Sequence, residues 1–89
     1  MKIQSDKDFG KLRDHVRSYM HKFPEFRHDV KQFEDTIEKH IKEYSQALVK
    51  YRQTKSRYHL SDAEKSIESI NKTVAMVEKI ELMAYLSQR

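Results

Sequence analysis

The sequence predicts an all-α fold: a short N-terminal helix followed by a long antiparallel helical hairpin. Three observations predict it. The 89 residues include one Gly and one Pro, too few for the turns that a β-rich chain of this length needs. Apolar residues recur at steps of three and four along most of the chain, the spacing of a single helical face. The interruptions fall where Pro24 and a serine-led capping pattern punctuate the sequence. One short domain is the upper bound that this length sets, and its core is thin enough for self-association to be a natural source of further burial.

The first helix is expected at about 6 to 22. Ser5 stands as an N-cap, and Asp6 and Asp8 favour the positive end of the helix. Phe9, Leu12, Val16, Tyr19, Met20 and Phe23 then share one face. Gly10 weakens the first turns by roughly 0.5–1 kcal/mol relative to Ala.

Pro24 ends that helix, because proline disfavours the α conformation of the residue before it while suiting the first turn of a new helix. The second helix is expected at about 24 to 57. Its stripe is Phe26, Val30, Phe33, Ile37, Ile41, Tyr44, Leu48 and Tyr51, at steps of 4, 3, 4, 4, 3, 4 and 3. That spacing follows an 11-residue repeat, which gives a nearly straight seam. At 1.5 Å per residue the helix is about 50 Å long.

Ser61 and Glu64 form an S-x-x-E capping box ahead of Ala63, Ile67, Ile70, Val74, Val77 and Ala84. The third helix is therefore expected at about 62 to 87, with Ser61 contributing about 1 kcal/mol as its N-cap. Roughly four linking residues leave the second and third helices as antiparallel neighbours. From Ile80 to Leu86 six of seven residues are apolar, which predicts cover on more than one side. Phe9, Val16, Tyr19, Phe23, Phe26 and Phe33 are expected to gather there, making one end of the molecule thick and hydrophobic.

Charge is concentrated at the other end. The net charge of the chain is +4, and residues 50–59 alone hold four basic groups and no acid. Lys50, Tyr51, Arg52, Lys55, Arg57, Tyr58 and His59 combine cations that neutralise phosphates with rings that stack on bases. The same residues also suit a solvated helix C-terminus, where cations meet the helix dipole. Met76, Ile80 and Met83 form a second apolar stripe on the third helix. It is expected either to lie under the first helix or to serve as an oligomer seam or docking groove, a role suited to adaptable Met side chains.

Catalytic chemistry finds no support. The chain has no Cys, which excludes disulfides and thiolate sites and suits a cytoplasmic protein. G-x-S-x-G, phosphate-loop and H-E-x-x-H patterns are missing. Glu25 and His28 have the E-x-x-H spacing of di-iron bundles, but such a site needs a second copy of the motif and two more carboxylates. No enzyme activity, metal or cofactor is expected. Nor is a membrane span, since no apolar run approaches ~18 residues, and the first residues lack the apolar stretch of a signal peptide.

The expected function is a helical protein–protein interaction module, regulatory or adaptor in role, that forms a homodimer either through the hydrophobic end, at Tyr19, Phe23, Phe26, Met76, Ile80, Met83 and Leu86, or along the hairpin, where Tyr44, Leu48, Tyr51, Ile67 and Ile70 are expected to be only partly shielded. Two alternatives follow from the charge. One is a nucleic-acid binder using the tip, the other a small phage or mobile-element immunity or inhibitor protein that blocks a host factor.

Overall fold

The computed structural model describes residues 1–87 and is helical nearly throughout, with no strand among the described residues. Helix α1 spans Phe9–Lys22, α2 spans Arg27–Thr54 and α3 spans Arg57–Ser87. Single 3-10 turns, Asp6–Asp8 and Pro24–Phe26, lead into α1 and α2. The molecule measures 54 × 18 × 16 Å. Among the described residues no helix is long and apolar enough to cross a membrane.

The N-terminal cap forms as expected. Ser5 Oγ accepts the Lys7 N–H at 3.4 Å, while Asp8 Oδ2 accepts the backbone N–H of Gln4 at 2.9 Å and of Ser5 at 3.4 Å. Pro24 also punctuates as expected, occupying the first position of the turn that opens α2.

The hairpin reversal sits elsewhere than expected. It consists of Lys55 and Ser56 alone, and α3 begins at Arg57 rather than near residue 62. Lys55 adopts the left-handed conformation (φ 57°, ψ 19°), and its N–H reaches the Tyr51 carbonyl at 2.7 Å. Thr54 Oγ1 donates to the Lys50 carbonyl at 2.9 Å and accepts the Ser56 N–H at 3.3 Å. Ser56 then caps α3, its Oγ accepting the Tyr58 N–H at 3.3 Å and its carbonyl the His59 N–H at 3.2 Å. Ser61 and Glu64 lie in the helix interior, so the S-x-x-E pattern there caps nothing. Helix starting at Arg57 lets the carbonyls of residues 57–60 accept from the following turn, while Ser56 serves two of the N–H groups that open the helix.

The three helices share one core: Ile3, Phe9, Leu12, Val16 and Tyr19 from the N-terminal region, Val30, Ile37 and Ile41 from α2, and Ile70, Val74, Val77 and Ile80 from α3. Helix α1 runs antiparallel to α2, since the Phe9 ring meets Tyr44 edge-on at 5.4 Å while Arg17 pairs with Glu34. Phe9 thus packs at mid-hairpin and not in the thick end. Beyond Tyr44 only α2 and α3 remain, in contact through the buried small residues Ala47, Ala63 and Ser66.

The two candidate caps are separable by mutation. Ser56→Ala should lower stability by about 1 kcal/mol through loss of the N-cap. Ser61→Ala, at an exposed interior helical position, should leave it unchanged or raise it by up to about 0.5 kcal/mol. Urea unfolding of the two variants beside the wild type measures both effects.

Candidate interaction surfaces

Helix α1 covers one face of the hairpin and is held there by polar contacts around an apolar seam. Arg13 Nε donates to Glu38 at 2.7 Å and Arg17 Nε to Glu34 at 3.4 Å. Glu78 on α3 receives His15 Nε2 at 2.9 Å and the Met1 amino group at 2.8 Å. Asn71 accepts the Ile3 N–H at 2.7 Å and donates to its carbonyl at 2.9 Å. These contacts shift the titration of Glu38 and Glu78. The hydrogen bond from Arg13 holds Glu38 below the usual carboxylate range. The hydrogen bond from the Met1 amino group, followed by that from His15, does the same for Glu78 against a desolvation cost. Burial, with Glu78 and Glu81 nearby, raises the Tyr19 phenol.

The opposite face of the hairpin is uncovered. On α2, Asp29, Thr36 and Glu43 lie roughly half a turn from Glu34 and Glu38. On α3, Met76 and Met83 lie nearly half a turn from Asn71 and Glu78. An interrupted groove, made of two separate hollows, lies along this face. At the thick end it is a cleft of about 280 Å³ bounded by Phe26, Asp29, Gln32, Phe33, Met76, Ile80 and Met83. Towards the tip it is polar, bounded among others by Glu43, Lys50, His59, Asp62 and Lys65.

The expected hydrophobic-end residues therefore divide. Tyr19 and Ile80 are core, and Phe23 and Phe26 are half-buried. Met76, Met83 and Leu86 are 51%, 51% and 57% exposed. The expectation that α1 covers the Met76–Met83 stripe is corrected, because its ion pairs hold α1 on the other side. Cover all round the end of α3 is corrected too: Ile80 and Ala84 are buried, while Leu82, Met83, Tyr85 and Leu86 face outward.

At the tip, Lys50, Arg52, Lys55, Arg57 and Tyr58 are exposed, and Tyr51 and His59 are half-buried. Lys50 faces the polar groove with His59, whereas Arg57 lies on another side beside Tyr51, Leu60 and Glu64. Lys55 Nζ stands 6.0 Å from the centre of the Tyr51 ring, and Tyr58 meets His59 edge-on at 5.8 Å. Lys50 and Arg57 thus lie on different sides of the tip. Among the described residues no carboxylate lies within ion-pair distance of these four cations. No group of three or more His, Asp or Glu side chains among the described residues could hold a metal ion.

Sequence reasoning missed the edges of the groove. Asp29, Thr36, Glu43 and Lys50 recur every seven residues on α2, and Lys65, Lys72 and Lys79 do so on α3. A second, charged heptad beside an apolar one was the available signal.

No family model matches this chain, and neither a curated protein nor a solved structure shows significant similarity to it.

The depressed carboxylates set a pH dependence. A group with a lowered folded-state pKa stabilises above its unfolded value and loses that contribution as pH falls through the folded one. Stability should hold from pH 7 to about 5 and then decline through the acidic side of the carboxylate range. Replacing both Glu38 and Glu78 with Gln should lower the plateau and flatten the decline. Thermal melts between pH 7 and 3 read both.

Proposed function

We propose that the chain is a non-enzymatic helical interaction module, regulatory or adaptor in role, which self-associates in the cytoplasm. The observation that carries this reading is the apolar cleft at the thick end of the hairpin. Met76 and Met83 stand half-exposed beside Phe26 and Phe33 on a face that α1 leaves open. Exposed side chains of this kind, contiguous and rimmed by polar residues, are characteristic of protein-binding surfaces. Met adapts to a partner surface at little cost in packing.

Light scattering at about 100 µM should give twice the chain mass, since dimers with micromolar dissociation constants are saturated there. Met76→Glu with Met83→Glu should return the mass to that of one chain without loss of far-UV helicity, because both side chains are half in water already. A wild-type protein that scatters as a single chain at that concentration refutes self-association.

A second reading rests on the four exposed tip cations. Lys50, Arg52, Lys55 and Arg57 lie in a segment with no acid between Glu43 and Asp62, so no neighbour at i+4 neutralises them. This favours a polyanionic partner, nucleic acid among them. Converting all four to Gln should change folding little. It should abolish most binding to a generic duplex and shrink the slope of log affinity against log salt by up to about 0.9 per lost phosphate contact. Equal binding by mutant and wild type would leave the tip a solvated helix end.

A further inference from the structure

We infer that two copies of this chain associate groove to groove about a two-fold axis parallel to the hairpin, so that α2 of each lies on α3 of the other and both basic tips emerge at the same end. This rests on the self-association reading above and specifies its geometry.

Three features of the open face select the second copy as occupant. The first is extent. The open face runs the length of α2, 28 residues or about 42 Å, by the width of two helices of about 10 Å each, an area close to the ~800 Å² per partner of a standard interface. The second is symmetry. An isologous pair brings the same patch of both subunits together. An axis running along the hairpin permits no sliding, so every level meets its own level. The apolar cleft at residues 26–33 and 76–83 then meets the apolar cleft, and the polar half meets the polar half.

The third is charge. The α2 edge of the groove presents exposed Asp29, Thr36 and Glu43, then Lys50 at the tip, and the α3 edge presents exposed Lys65, Lys72 and Lys79, with Asp62 at the tip. With α2 stacked on the second copy's α3, opposite charges meet level by level and twice over, the acids of α2 against the lysines of α3 and Lys50 against Asp62 at the tip. Asp29 comes within one helical turn of Lys79, and Glu43 within one turn of Lys65. All neighbouring helices are then antiparallel, as in an up-and-down four-helix bundle.

The reversed dimer, with its axis across the hairpin, fails on the same grounds. It stacks α2 on α2 and α3 on α3. If the clefts meet, Asp29 faces Asp29 and Lys79 faces Lys79. If the full lengths overlap, the apolar cleft of each copy lies on the polar half of the other.

Charge reversal and a distance measurement test this together. Asp29→Lys and Lys79→Glu should each weaken the dimer by about tenfold, since each exchanges two attractive pairs for two repulsive ones. The double variant Asp29→Lys/Lys79→Glu should return to within about threefold of wild type. All these positions are exposed, so helicity should not change. The chain has no Cys, so Gln53→Cys carries a single nitroxide per chain near the tip. Double electron–electron resonance should give a separation of about 15–30 Å, the span of a four-helix cross-section with interaxial distances of 8–10 Å. A dimer indifferent to the single reversals overturns the inference and leaves self-association standing. So does a double variant that regains nothing, or a separation beyond about 50 Å, as tips at opposite ends of a body at least 54 Å long require. A single-chain mass for the unlabelled wild type at about 100 µM overturns both.

Discussion

Everything in this fold hangs on a reversal of two residues. Lys55 turns the chain in the left-handed conformation and Ser56 restarts it, with Thr54 bonded to both sides of the break. A non-glycine residue there carries a steric cost of roughly 1–2 kcal/mol, which the surrounding packing must offset. What the tight turn provides is a fixed register between α2 and α3. With no slack in the link, the small residues Ala47, Ala63 and Ser66 are buried near the tip, and the larger Val30, Ile37, Val77 and Ile80 join one core further down. A longer loop would let the helices slide by a turn and trade large side chains for small ones along the seam.

Register in turn decides what α1 can do. A helix of 14 residues spans about 21 Å, less than half the 54 Å of the hairpin, and it has one apolar stripe. It can close one face of one end. The choice of face follows from polar contacts, with Arg13 and Arg17 reaching α2 while His15 and the Met1 amino group converge on Glu78 of α3. Each of these groups is partly exposed, so each contact contributes modestly. Together they orient a helix whose burial of Leu12, Val16 and Tyr19 supplies most of the stabilisation.

How much of this was legible depended on whether the signal was local. Ser5 with Asp8, the break at Pro24 and the steps of three and four are short-range patterns, and each produced the expected element. The turn was misplaced because Thr54-Lys55-Ser56 contains no Gly, Pro, Asn or Asp and Ser56 has no acid three residues on to mark it as a cap, while Ser61 and Glu64 reproduce a cap sequence on an exposed helix face. A capping box is only a potential pair of hydrogen bonds, and continuous helix from Arg57 satisfied more backbone groups. The face taken by α1 was out of reach for another reason. It is set by contacts such as His15 with Glu78, 63 residues apart, and periodicity along one helix says nothing of which neighbour lies on which side. The charged heptad Lys65, Lys72, Lys79 was visible, but charge on a helix surface ordinarily means only solvation. It gains a meaning once Asp29 and Glu43 are known to line the opposite wall.

The open groove and the closed core are therefore distinct parts of one small protein. The core from Ile3 to Ile80 draws on all three helices and is fully buried within a single chain, so folding has no evident need of a partner. Met76, Met83, Leu82 and Leu86 contribute little to it, each being more than half exposed. Substitutions there should leave the hairpin intact, whereas truncations at Val74 or Leu12, which are fully buried, should destabilise it. That separation would suit the interaction module proposed above. The face offered to a partner can change without endangering the scaffold, and the charges along its edges can set the orientation of what docks, because the register that aligns them is fixed at the far end by Lys55 and Ser56.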